Sequence, residues 1–139
     1  MSASRWTAWI LQGIVIFLLL LDAFGKLATL RPVVEGTAGL GYPVRFVVLI
    51  GLIEAVCVAL YAVPATSALG AVLLTGYLGG AVASHLRIES PLMTHILAPV
   101  YIGIVLWIGL LLRDDHLRWS IGLRGRTERG EGEGGAVTA

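Results

Sequence analysis

The sequence predicts an all-α integral membrane protein: a bundle of four transmembrane helices with both termini on the same side. Hydrophobic residues make up 57% and charged residues 14% of the 139 positions, against about 45–50% and about 25% in ordinary soluble domains. The mean hydropathy is +0.86. Four apolar runs, at 6–28, 44–63, 65–86 and 96–112, each approach the ~20 residues a helix needs to cross a hydrocarbon core about 30 Å thick. One membrane domain over 1–124 then accounts for nearly all of the chain and leaves no room for a soluble catalytic module.

The first run, Trp6–Ala28, follows Arg5 as the core of a secretory signal would. It exceeds the about 7–15 residues of such a core and lacks small-residue cleavage chemistry, so it reads as a retained helix. The segment Thr29–Pro43 holds Pro32, Gly36, Gly39, Gly41 and Pro43, enough punctuation for an irregular loop or one short helix around Val33–Leu40. Val44–Val63 is the second span and turns at Pro64 into the third, Ala65–Leu86. A short polar loop, Arg87–Thr94, leads to the fourth, Ile96–Leu112. Beyond it Trp119 and Ile121 suit an interfacial stretch, and 125–139, dominated by Gly, Glu and Arg, reads as a disordered polar tail.

Arginines set the expected orientation. Arg5, Arg113, Arg118, Arg124, Arg126 and Arg129 flank the spans on the terminal side, and Arg31, Arg45 and Arg87 on the other; six against three favours cytoplasmic termini in a multi-pass protein of the cell membrane. Trp6, Trp9, Trp107 and Trp119 fit interfacial belts. A net charge of +1 without a basic face argues against nucleic acid as a partner. The single cysteine, Cys57, excludes an intramolecular disulfide, a CxxC redox pair and a multi-thiolate metal site, and reads as a small buried residue.

The chemistry lies in polar residues inside the spans, where a charge costs about 2.5–3.5 kcal/mol on insertion scales and so calls for a partner. With termini inside, Asp22, Lys26, His85, Arg87 and His95 gather in the outer half, with Glu54 beneath them near the midplane. Asp22 and Lys26, spaced i, i+4, share a helix face and can neutralise each other; alternatively Lys26 snorkels and leaves Asp22 to another helix. Glu54 has no partner in its own helix. A neutral, hydrogen-bonded acid is the default expectation, with Tyr77 at similar depth as its partner, and proton handling is the functional alternative. His85 and His95 flank a short loop and can face each other, but two histidines without a spaced carboxylate make no metal motif. Asp22, Glu54 and His85 are thus the candidate catalytic residues. Lys26, Tyr77, Gly80, Arg87 and His95 are the candidate ligand contacts, with Arg87 otherwise a snorkelling terminal cation. In the third span Gly76, Gly80 and Ser84, beside Thr75, Gly79 and Ala83, form rows of small residues at four-residue spacing. They predict close helix packing, or else a groove where a lipid-like ligand meets the backbone.

The segment Gly76-Tyr-Leu-Gly-Gly-Ala-Val-Ala-Ser-His-Leu-Arg87 resembles the third-helix signature of DoxX-like membrane proteins. Asp22-Ala-Phe-Gly-Lys26, Leu40-Gly-Tyr-Pro43, Gly51-Leu-Ile-Glu54 and the closing Trp107–Arg113 run agree with it, so that the likeness covers about Phe17 to Arg118. The resemblance implies a compact four-helix membrane bundle. The family takes its name from a subunit of a thiosulfate:quinone oxidoreductase, and some relatives are linked to membrane redox or thiol-stress complexes. The resulting expectation is a lipophile- or quinone-associated subunit of membrane redox metabolism whose buried carboxylates handle protons. Its partners would be the lipid bilayer, a small hydrophobic ligand or quinone, and a further copy or a membrane redox protein. The alternatives are a membrane-embedded acid–base enzyme, an isomerase or cyclase acting on a hydrophobic substrate, and a non-enzymatic anchor or assembly partner.

Overall fold

Helices dominate because nearly every run is apolar and, in hydrocarbon, only a helix satisfies its own backbone within one segment. The structure, a computed structural model, describes residues 3–114 and Leu117. The expected interfacial stretch with Trp119 and Ile121, the polar tail, and Arg118, Arg124, Arg126 and Arg129 of the charge count lie outside the described residues. The α-helices are α1 (Ala3–Leu27), α2 (Arg31–Gly39), α3 (Val47–Ala62), α4 (Ser67–Arg87) and α5 (Leu97–Arg113). A 3-10 turn, Val44–Phe46, opens α3, and a π-helical turn, Leu92–Ile96, opens α5. With these turns, four stretches are long and apolar enough to cross a membrane: Arg5–Leu27, Val44–Ala62, Ser67–Arg87 and Leu92–Arg113.

The fourth stretch begins at Leu92, ahead of the expected Ile96. Pro91 precedes the first turn, where its missing N–H costs nothing, and the Leu97 N–H reaches back to the Leu92 carbonyl. Leu92–Thr94, expected in the loop, therefore join His95 in a helical turn. The punctuation in 29–43 resolves as the short helix α2, led in by Pro32.

On α1 the stripe Ala8, Gln12, Val15, Leu19, Ala23 and Lys26 is buried, while Trp6, Ile10, Ile14, Phe17, Leu21 and Phe24 stay exposed. The spacing of three and four within each set gives an inner and an outer face. Large exposed apolar side chains likewise cover the outer faces of α3, α4 and α5, far more than a soluble monomer presents and as expected for a surface solvated by lipid. The four long helices pack in a ring in which α1 touches α3 and α5, and α4 touches α3 and α5. The core between them includes Val15, Leu19, Cys57, Leu74 and Leu106.

A polar clasp closes one end. Arg113 Nη1 donates to Gln12 Oε1 at 2.7 Å and Gln12 Nε2 donates to the Tyr61 carbonyl at 3.3 Å. The Tyr61 hydroxyl donates to the Leu106 carbonyl at 2.9 Å, and the Arg113 guanidinium lies 5.2 Å from the Trp9 ring centre. The first turns of α1 and the last of α5 therefore share one end of the bundle.

At the opposite end α1 and α4 both stop in the same way. Leu30 N–H bonds the Gly25 carbonyl and Thr29 N–H that of Lys26; Ser90 N–H bonds the His85 carbonyl and Glu89 N–H that of Leu86. Each is a Schellman stop, with the left-handed position held by Thr29 (φ 51°) and Glu89 (φ 54°) instead of glycine.

Close helix approach occurs at glycines other than those expected. A Cβ on Gly51 would lie 2.6 Å from Lys26 Cβ and 3.2 Å from the Ala23 carbonyl oxygen, so Gly51 lets α3 seat against α1 beside the lysine. A Cβ on Gly70 would run into the backbone of Tyr61 in the α3–α4 hairpin. By contrast a Cβ on Gly76, Gly79 or Gly80 would meet nothing within 4 Å. The small-residue rows of α4 do not bring two backbones together within this chain; they leave open space.

Candidate functional site

Four helical segments and α2 surround a cavity of about 790 Å³ in the half of the bundle away from the termini, within the about 300–1,000 Å³ typical of small-molecule sites. Gly76 and Gly80 give it width on the α4 side, and Val33, Gly36 and Thr37 of α2 cover its outer end. Most of the wall is aliphatic, with Leu19, Ile50, Ile53, Leu78 and Ile102 among its residues.

The polar part of the wall is built around Lys26. Because Lys26 belongs to the buried stripe of α1, it points into the bundle and is only 6% exposed. Its Nζ donates to the Asp22 carboxylate, to Glu54 Oε2 at 2.9 Å and to the Tyr77 hydroxyl at 3.1 Å. Tyr77 in turn donates to Glu54 Oε2 at 2.8 Å. One ammonium thus joins three helices. Of the two pairings weighed from sequence, that of Lys26 with Asp22 is present, and the same ammonium also bonds Glu54 on α3. The expected Tyr77–Glu54 bond is present, and Glu54 has the lysine as a second partner.

The carboxylates differ in setting. The Asp22 side chain is 49% exposed, that of Glu54 0%. Both bonds to Glu54 arrive at Oε2, which leaves Oε1 as a buried polar atom without a hydrogen-bond partner. Such an atom ordinarily carries a penalty of about 1–3 kcal/mol, more when the group is charged. All four residues line the cavity.

His85 and His95 lie farther out on the same wall, with ring centres 5.6 Å apart at 56°. His85 Nδ1 is 3.1 Å from Ser90 Oγ, and His95 Nδ1 is 2.8 Å from Thr94 Oγ1. The Schellman stop of α4 fixes the His85–Ser90 pair, and the π turn carries His95 round to meet it. Among the described residues no three His, Cys, Asp or Glu side chains come together as a metal site. Arg87 stands apart from the cavity wall. Its Nη2 donates to the Leu40 carbonyl and packs over Gly41, whose φ of 87° only glycine adopts without strain. It ties the α2–α3 connection to the end of α4.

A family model described as the DoxX-like family matches residues 10–109. The chain belongs to the DoxX-like family. No curated protein and no solved structure gives a significant match. Three segments that carry the resemblance, Asp22–Lys26, Gly51–Glu54 and Gly76–Arg87, converge in this DoxX-like chain on one cavity. A fourth, Leu40–Pro43, adds Leu40 and Tyr42 to its wall.

Some of the wall escaped the sequence reading. Tyr42 Oη lies 2.7 Å from Ser84 Oγ, and Ser84 Oγ donates to the Gly80 carbonyl at 2.8 Å. Since the Ser84 proton is committed to Gly80, the Tyr42 hydroxyl is the donor of the first bond. Tyr42 sits beside Pro43 in a connecting segment that the sequence tied to the resemblance but to no role; nothing in its spacing joined it to Ser84. Trp107 donates through Nε1 to Thr75 Oγ1 at 2.9 Å and links α5 to α4, a bond that its spacing did not announce.

Proposed function

We propose that this DoxX-like protein binds a lipophile of the quinone class, with its ring in the cavity and its polar end at the Asp22–Lys26–Glu54–Tyr77 cluster. The carrying observation is the cavity itself: a largely aliphatic volume of about 790 Å³ whose polar wall is a lysine shared by two carboxylates. Residues and ligand class fit on two counts. The wall solvates a hydrocarbon ring or chain, and Glu54 Oε1 is an unmet hydrogen-bonding position beside it. A quinone–quinol couple exchanges protons as well as electrons. In this reading Asp22 and Glu54 hold and release protons, Lys26 and Tyr77 fix their geometry, and a membrane redox partner handles the electrons. The arginine count supports cytoplasmic termini, which would turn the cavity toward the outer half of the cell membrane.

A second reading, an acid–base enzyme acting on a hydrophobic substrate, draws on the unequal settings of the carboxylates. An exposed Asp22 and a sealed Glu54 joined through one cation are suited to divide donor and acceptor roles. Native mass spectrometry of mildly solubilised protein, with extraction of retained small molecules, tests both. A stoichiometric quinone or quinol lost in Glu54→Gln supports the first. A different lipophile that the protein isomerises supports the second. An empty protein that retains another membrane polypeptide refutes both in favour of an anchoring role.

A further inference from the structure

Resting on that reading of the cavity, we infer that the site takes its ligand through a hydrogen-bond donor, the hydroxyl of a quinol or related phenol or alcohol, in preference to the carbonyl of the oxidised quinone. The inference comes from counting donors and acceptors on the wall. A lysine ammonium has three N–H donors and no acceptor. Those of Lys26 have three partners, in Asp22, Glu54 and Tyr77. The Tyr77 proton is committed to Glu54 Oε2. The Tyr42 proton goes to Ser84, and the Ser84 proton to Gly80. Every donor around the carboxylates is therefore spent within the protein.

What remains beside the cavity is acceptor capacity. Glu54 Oε1 is fully buried and unpartnered, and the lysine bond to Asp22 engages only Oδ2 of a half-exposed carboxylate. Of the two, the half-exposed Asp22 carboxylate on the cavity wall is the acceptor that a ligand hydroxyl reaches directly. A carbonyl oxygen in that position would face carboxylate oxygens with no proton between. The part of the wall able to donate or accept is the histidine pair with the Ser90 and Thr94 hydroxyls bonded to it. His85 is eight positions beyond Tyr77 on α4, about 12 Å at 1.5 Å per residue, too far to supply the missing donor to Glu54.

The test is a comparison of two probes. Full-length protein in detergent is titrated anaerobically with a short-chain quinol and, separately, with the matching quinone, and bound ligand is counted by equilibrium dialysis. One charge-assisted hydrogen bond corresponds to a preference of about tenfold or more, so the quinol is expected to bind at least about tenfold tighter. Asp22→Asn, which substitutes an amide able to donate at the exposed carboxylate, is expected to erase most of that preference. Equal binding of the two probes, or tighter binding of the quinone, overturns the donor rule while leaving the cavity reading intact. Binding of neither probe overturns both. A preference unchanged in Asp22→Asn and lost in Glu54→Gln confines the rule to Glu54 Oε1, and one unchanged in both variants overturns it.

Discussion

Lys26 Nζ on α1 lies 2.9 Å from Glu54 Oε2 on α3, and the Glu54 side chain has no exposed surface. The contact crosses between helices where Gly51 has no side chain to hold them apart. It makes the lysine a structural joint as well as part of the cavity wall.

Removing that joint strands a charge. Lys26→Met is expected to destabilise the bundle by about 3–5 kcal/mol, because the partner carboxylate stays buried without its cation. Lys26→Met combined with Glu54→Leu should cost clearly less than the lysine change alone. Thermal unfolding of the purified variants in one detergent measures the difference, and equal losses in the single and double variants would contradict the pairing.

Glycines on the two faces should respond in opposite ways. Gly51→Ala forces a Cβ to 2.6 Å from that of Lys26 and is expected to cost about 1–3 kcal/mol through overpacking. Gly80→Ala meets no atom within 4 Å, so stability should hold while the cavity narrows and lipophile binding weakens. A melting curve and a binding isotherm on each variant separate the two effects.

Tyr77→Phe keeps the ring and deletes two hydrogen bonds, the one donated to Glu54 and the one accepted from Lys26. At about 0.5–1.5 kcal/mol for each, a stability loss of about 1–3 kcal/mol is expected, together with weaker lipophile retention, read by native mass spectrometry. An unchanged melting temperature would mean that the hydroxyl holds neither group.

Gly41→Ala introduces a side chain at φ 87° and against the Arg87 guanidinium. Left-handed backbone costs an alanine about 1–2 kcal/mol. The connection from α2 to α3 should loosen, seen as faster hydrogen exchange across Arg31–Phe46 with the far-end clasp unaffected.

The spans were legible because length and apolarity suffice to define them, and the i, i+4 relation of Asp22 and Lys26 followed from helix geometry. The histidines were legible as a pair because a short loop joins their helices. The reach of Lys26 to Glu54 was not, because it depends on which way each helix is turned. A helix that is apolar all round, with lipid on one side and protein on the other, hides its inner face. The polar members of the α1 stripe, Gln12 and Lys26, did mark that face, but only once their burial is known. The rows at Gly76, Gly79 and Gly80 left packing and groove undecided for a related reason. Small residues permit a close approach without requiring one, and here the approach occurs at Gly51 and Gly70.

The lysine joint also bears on how the chain enters the bilayer. α1 emerges from the ribosome before α3, with Lys26 and Asp22 one helical turn apart in the same segment. The first span can therefore leave the translocation machinery with its charges compensated from within. α3 has no such internal partner for Glu54, and its partner is already in place on the preceding span. Insertion of the second span is thereby coupled to the first: α1 can enter alone, whereas α3 enters cheaply only beside it.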